Sequence, residues 1–310
     1  MHAVELSGLA IAPAASDADL EAMIAVRARV NPDDRPVVEN LRFNLERNED
    51  LVYPVARLDG EPVACGYVEP WTPFAVGDIA VVPEQRRRGI GSAMFAELSA
   101  WARGFGKDSI QFEVRENDPS SRAFLERRGF ARVGAEKAVA LDLDAIEAPP
   151  IEPPAGIRVV SRVEEPNRLE AMYAVAVEAE EDIPGSTGVQ TFDQWQAHEI
   201  DKPSRRPELC FIALAGDDVV GYAALMVSGD QVFHGLTATR RDWRRRGVAT
   251  ALKRAEIAAA KRAGFHRLMT ESEERNEPMR TLNEKLGFEP APDLSVVVMR
   301  GPLAGAPASV

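Results

Sequence analysis

The chain has 310 residues, 49 of them acidic and 37 basic, giving a formal charge of −12. That length suits two domains of ordinary size, and the charge excludes general nucleic-acid binding, which needs a positive face. No run of eighteen apolar residues predicts a membrane span, and the start, Met1-His2-Ala3-Val4-Glu5, lacks a basic region followed by an apolar stretch, so a cytoplasmic protein without a membrane partner is expected.

In chain order, each half predicts the same elements. A short apolar strand, Leu9-Ala10-Ile11-Ala12, leads to a helix capped by Ser16 and Asp17 ahead of Leu20, Met23 and Ile24; the second half offers Ile157-Arg158-Val159-Val160, then Leu169, Met172 and Tyr173. Hairpins follow, Leu51 to Leu58 and Val63 to Val68 around Asp59-Gly60, answered by Cys210 to Leu214 and Val219 to Val227 around Gly216-Asp217-Asp218. A further strand, Val76 to Val82 or Phe233 to Thr239, runs straight into an arginine-glycine loop. Behind the loop, Ile90, Met94, Leu98, Trp101 and Phe105, or Val248, Leu252, Ala255, Ala259 and Ala263, mark an amphipathic helix.

The loops are near copies. Arg86-Arg87-Arg88-Gly89-Ile90-Gly91-Ser92 recurs as Arg244-Arg245-Arg246-Gly247-Val248-Ala249-Thr250, and Gly106/Gly264 and Gly129-Phe130/Gly287-Phe288 keep the same spacing of 158 positions. Between the halves, paired prolines from Pro149 to Pro154 read as a stiff connector. The expected division is a first domain over 1–147, a linker over 148–156, a second domain over 157–301 and a disordered tail over 302–310. A strand, a glycine loop and a helix N-terminus in that order make an anion site, because free amides and the positive end of the helix dipole face the ligand and a glycine lets diphosphate approach the backbone. Flanking arginines add charge to phosphate oxygens.

Arg or Gln, two residues, Gly, one residue, then Gly or Ala, after a strand and opening a helix, resembles the acetyl-CoA signature of the GNAT N-acetyltransferases. The later strands Ser109 to Val114 and Arg267 to Thr270, with helices ending in Gly129-Phe130 and Gly287-Phe288, extend the resemblance over nearly the whole chain. The tandem arrangement resembles the two-domain actinobacterial acetyltransferases related to mycothiol synthase, with the second half the better match. It implies an α/β fold (α+β, mixed sheet) made of two tandem GNAT domains, with coenzyme A or acetyl-CoA held by both loops. The backbone of Ile79, Ala80 and Val81, or of Thr237, Ala238 and Thr239, is expected to supply the amide donor for the acyl oxygen, and Asn276 to touch the pantetheine arm; Asp118 stands at that place in the first half.

The chemistry implied is acetyl transfer to the amine of a small molecule. An alkylammonium of pKa about 10.4 is neutral at only roughly one part in two thousand at pH 7, so a base or a water path must take its proton. His234, three residues before Thr237, is the sharpest candidate base; Val76 matches it in the first half and cannot serve, and strand alternation aims the nearby Asp78 away from the cleft. Glu178, Glu180, Glu181 and Asp182, ahead of Pro184-Gly185, are candidates to hold a cationic amine or act as base through water, with Glu181 the catalytic choice. Trp71 and Trp195 are read either as groove lining or as core. The tyrosine that assists thiolate departure in the family is replaced by Leu125 and Asn283. These features favour the second half for catalysis; peptide or protein acetylation, and a non-catalytic acyl-CoA sensor or scaffold, are the alternatives. Cys65 and Cys210 form neither a disulfide framework nor a zinc spacing, and His2, His198 and His266 have no ligand spacing, so no metal is expected.

Overall fold

A computed structural model of the chain describes residues 7–32, 36–183 and 191–305. Pro184 and Gly185, His2 and the tail beyond 305 lie outside the described residues. The elements are β1 (Leu9–Pro13), α1 (Asp17–Val30), α2 (Val38–Arg47), β2 (Pro54–Leu58), β3 (Glu61–Pro70), β4 (Ala75–Val81), α3 (Ile90–Gly104), β5 (Ser109–Arg115), α4 (Pro119–Glu126), β6 (Ala131–Asp142), β7 (Ile157–Ser161), α5 (Leu169–Glu180), α6 (Phe192–Trp195), β8 (Cys210–Ala215), β9 (Asp218–Ser228), β10 (Gln231–Thr239), α7 (Val248–Arg262), β11 (Arg267–Glu273), α8 (Glu277–Lys285), β12 (Glu289–Pro290) and β13 (Val296–Pro302).

Two compact units form, one of residues up to 133 with those from 297 onward, the other of residues 134–296. The first carries strands in the order β1-β2-β3-β4-β5-β13 and the second β6-β11-β10-β9-β8-β7. Each sheet is antiparallel except for one parallel pair, β4 with β5 or β10 with β11, among the registers resolved. The repeat alone suggests a single cut near 148–156, whereas the first unit draws on both ends of the chain and the second on its middle. Strand β6 leaves the first repeat and pairs with β11 from Asp142↔Arg267 to Glu136↔Glu273, and the strand beside β5 is the one at the chain's end. Local periodicity carries no information about which distant partner a strand will take. Residues 302–304, expected in the disordered tail, are docked in the first unit: Leu303 is buried, and the Ala304 N–H donates to Ser99 Oγ at 2.9 Å.

Local chemistry explains the elements. Ser16 and Asp19 form a reciprocal capping box on α1. The β2–β3 turn uses Asp59 (φ 51°) and Gly60 (φ 90°), the paired left-handed residues that a two-residue hairpin requires. Helix α3 buries Ile90, Met94, Phe95, Leu98 and Ala102 on the first sheet, and α7 buries Val248, Leu252, Ala255, Ile257 and Ala259 on the second. On its other face the second sheet packs α5 and α6 through Met172, Val175, Trp195, Tyr222 and Ala238. The Pro-rich stretch lies inside the second unit, with Ile146 and Ile151 against its core and Glu152 paired to Arg254 at 2.7 Å.

Candidate active site

Both arginine-glycine loops have the same backbone. Arg87 (φ 64°) and Gly89 (φ 97°) are left-handed, as are Arg245 (φ 59°) and Gly247 (φ 89°). Left-handed residues interleaved with right-handed ones form an anion-binding nest of main-chain N–H groups. Arg86 Nε donates to the Val81 carbonyl at 2.9 Å and Arg244 Nε to the Thr239 carbonyl at 3.0 Å, so the first arginine of each loop ties it back to the preceding strand. Gly89 and Gly247 are the N-caps of α3 and α7, and neither helix receives a side-chain cap, leaving first-turn amides to a ligand. A Cβ on Gly91 would meet only Phe124 and Val81 at ordinary distances, so the Ala249 of the second copy is accommodated. These residues fit a diphosphate.

The loops differ in charge. In the first unit Arg128 stacks on Phe124 and reaches α3, donating from Nη2 to Ser92 Oγ at 2.7 Å. In the second, the acidic end of α5 closes on the turn before the loop. Arg241 pairs with Glu181 at 2.8 Å and Asp182 at 2.9 Å, Arg244 pairs with Asp182 at 2.6 Å, and the Arg241 N–H donates to Glu178. The two guanidinium groups pull the Asp182 pKa down to about 2. Glu181, read as an acceptor-binding or catalytic carboxylate, is thus placed as a partner of Arg241. Pro154 also packs beside Gly247.

Above each loop the parallel strands part. β4 pairs with β5 only from Ala75↔Ile110 to Gly77↔Phe112, and β10 with β11 only at Val232↔Leu268 and Phe233↔Met269. Ile79, Ala80 and Val81, like Thr237, Ala238 and Thr239, therefore lie on strand edges with no partner strand on that side among the described residues, where an extended ligand can add main-chain hydrogen bonds. Thr237 and Thr239 keep buried hydroxyls without partners.

The two splayed strands are not equivalent. β4 pairs with β3 without interruption, whereas the β10–β9 register shifts between His234 and Thr237, so that Gly235 and Leu236 together oppose Ala224. This bulge consumes one residue: Val232 pairs with Leu268, although Ala75 pairs with Ile110 and the repeat would match Ala75 to Phe233. A one-residue shift turns the upstream side chains to the opposite face. His234 consequently points into the core beneath α7, 2.7 Å from Glu256, with both side chains fully buried. The approach lacks hydrogen-bond alignment, since neither ring nitrogen nor either Glu256 oxygen has a bonded partner. Burial and the Lys253 ammonium hold the imidazole pKa below its ordinary value, outweighing Glu256. His234 is therefore corrected from acceptor-side base to interior residue, its two ring nitrogens buried without a hydrogen-bond partner.

Asn276 is the N-cap of α8, its Oδ1 accepting from the Met279 N–H at 3.3 Å, and Asp118 caps α4 in the same way; their shared role is helix initiation. Leu125 is core, while Asn283 is buried with both amide atoms unpartnered. Trp195 is buried in an aromatic group with Tyr173, Phe192 and Tyr222. Arg205, overlooked in sequence because it sits between turns without a motif, lies over Gly235 at the bulge. Cys65 and Cys210 are buried and not disulfide-bonded, and burial pushes the Cys210 thiol up to about 12. Among the described residues no cluster of His, Cys, Asp or Glu suits a metal ion, and no helix is long and apolar enough to cross a membrane.

A split parallel pair feeding a phosphate nest, built twice, defines an acyl-CoA-type transferase scaffold. The family model described as "Acetyltransferase (GNAT) family" matches residues 20–130 and 169–288, and the chain belongs to that family. It is accordingly an acyltransferase, and membership implies an acyl-CoA donor. Among solved structures it is similar to a tandem GNAT protein from the clavulanic acid biosynthesis pathway, at 23% identity and TM-score 0.78, covering 96% of this chain and 100% of that one. It is similar to a GCN5-related N-acetyltransferase from Sphaerobacter thermophilus, at 22% identity, TM-score 0.74 and coverage of 95% and 96%. It also resembles Saccharomyces cerevisiae N-myristoyltransferase with bound myristoyl-CoA, at 12% identity, TM-score 0.69 and coverage of 95% and 78%. No curated protein matches the sequence.

Proposed function

We propose that the protein is an acetyl-CoA-dependent N-acetyltransferase acting on a small-molecule amine, with transfer in the second unit and a binding role for the first. The observation that carries the division is the bulge at Gly235 and Leu236, present in β10 and without counterpart in β4. A bulge frees main-chain groups from the ladder and re-aims them, which gives β10 an amide able to meet the acyl oxygen as charge gathers there. In the first unit the corresponding face of β4 is occupied by an ion pair, Asp78 to Arg27 at 2.6 Å.

The donor supplies an activated thioester. The chain's residues do the rest: the Gly247 nest and the arginines from Arg244 to Arg246 hold the diphosphate, and the open edge at Thr237 to Thr239 aligns the arm. Buried Trp195 and Tyr222 on the acceptor side of the bulge support a small acceptor over a peptide. With His234 interior and Glu181 tied to Arg241, the amine is taken up in its neutral form, its proton leaving to water.

The test is release of free thiol from acetyl-CoA over a panel of small amines, beside longer acyl-CoAs. Turnover with acetyl-CoA and at least one amine is expected. Tight CoA binding with no turnover on any amine would instead support a sensor or scaffold.

A further inference from the structure

Arg205 is a buried cation with two unanswered donors. It follows the turn at Lys202, to whose carbonyl its own N–H donates at 2.8 Å, and the neighbouring Ser204 carbonyl accepts from Val227 on β9 at 2.8 Å, fixing the segment against the sheet. The side chain is only 9% exposed, and one nitrogen, Nη2, pairs with Glu199 at 2.6 Å. Nε and Nη1 are buried without a hydrogen-bond partner. Buried guanidinium donors left unmade are costly, and native proteins rarely tolerate them away from functional sites.

Its position gives those donors a purpose. A Cβ on Gly235 would lie 2.2 Å from Arg205 Nη1 and 3.0 Å from Cζ, so the glycine at the bulge is what makes room for the guanidinium. The matching glycine of the first unit, Gly77, instead faces Ile110 and Leu98. The cation therefore sits at the β10 bulge, where on the transferase reading the acceptor meets the acyl carbon. The Tyr222 hydroxyl accepts from Trp195 Nε1 at 3.2 Å, and burial pushes the phenol pKa up, so its proton stays available to donate nearby.

We propose that Arg205 is the anchor for a carboxylate on the acceptor, and that the acceptor is an amino-carboxylate, an amino acid or close derivative, rather than a simple amine. A planar guanidinium offers a carboxylate paired donors. Cδ separates Nε from Nη1, so each paired edge of the guanidinium includes Nη2, which Glu199 holds; the ligand carboxylate takes the open Nη1 donor beside Gly235 and shares Nη2 with Glu199. This rests on the transferase reading above, deepening it with a substrate class.

The experiment uses the full chain loaded with CoA. Calorimetry measures binding of N-acetyl derivatives of the twenty amino acids against their carboxamides, and turnover is measured with the parent amino acids and amides. We expect at least one carboxylate to bind tenfold or more tightly than its amide, with the ratio collapsing to near one in Arg205→Gln, partly restored in Arg205→Lys, and CoA binding unchanged. Glu199→Gln, which removes the competing carboxylate while keeping the guanidinium, should increase the ratio, and it serves if Arg205→Gln does not fold. Equal binding of acid and amide, or a preference that survives Arg205→Gln, overturns the proposal. Arg205-dependent binding without any turnover would sink the transferase reading and leave this one standing, whereas turnover confined to carboxylate-free amines would do the reverse. Neither binding nor turnover overturns both.

Discussion

Arg244 Nη1 lies 2.6 Å from Asp182 Oδ2 while its Nε donates to the Thr239 carbonyl, so one guanidinium joins the phosphate loop, the splayed strand and the acidic end of α5. The same carboxylate accepts from Arg241. Phosphate binding at Gly247 thus competes with an internal anion that Gly89 does not face among the described residues. Two CoA sites of unequal affinity follow, with the first unit the tighter. Asp182→Asn should strengthen the weaker site by about two- to fivefold, the scale of an exposed ion pair. Because the Asp182 pKa is held at about 2 against an ordinary 3.8, its pairing is fully present above about pH 4 and is lost only as pH falls toward 2. The competition should therefore be constant from pH 5 to 9. Calorimetry with CoA checks both points; equal sites in the wild type would refute the idea.

Each nest can be removed alone. Gly89→Glu and Gly247→Glu place a carboxylate where diphosphate would sit and force a side chain onto a left-handed N-cap, at a stability cost of about 1–2 kcal/mol. Gly89→Glu should abolish the tighter CoA site and leave turnover, and Gly247→Glu should abolish turnover and leave tight binding. Reversal of these outcomes would assign catalysis to the first unit.

The two nests were legible because their whole determinant is local: a strand, a glycine at a left-handed position and an amphipathic stripe are all written within about thirty residues. The hairpin at Asp59-Gly60 was readable for the same reason. His234 was misplaced because a gap-free repeat implies equal strand phase, and the bulge at Gly235 and Leu236 changes that phase without adding a residue. Glu181 and Asp182 looked like a free acidic patch since their partner, Arg241, lies some sixty positions away. The pairing of β6 with β11 and the place of β13 beside β5 are likewise long-range choices.

With His234 buried beneath α7, log(kcat/KM) should climb with pH at a slope near one until the amine's own pKa, since only the neutral amine reacts. A plateau beginning near pH 6.5 to 7 would instead reveal a protein base. Glu181→Gln should leave the shape of the profile unchanged, because that carboxylate is engaged with Arg241.

His234 is expected to act through stability. Its fully buried contact with Glu256 lies beside Lys253, whose pKa burial lowers to about 8. The imidazole is held below its ordinary pKa and is neutral near pH 7, so His234→Leu removes no charge but leaves the buried Glu256 carboxylate without its polar neighbour, and should cost about 1–3 kcal/mol. The pH dependence has a definite sign. The folded imidazole pKa lies below the unfolded 6.5, so the unfolded chain binds the extra proton, and this contribution is fully present above pH 6.5 and lost as pH falls below it. Between pH 7.5 and 5 the wild type should therefore lose more melting temperature than His234→Leu. Folded His234→Leu protein should retain its slope-one pH profile; a flattened profile, with stability unchanged, would return His234 to the catalytic role.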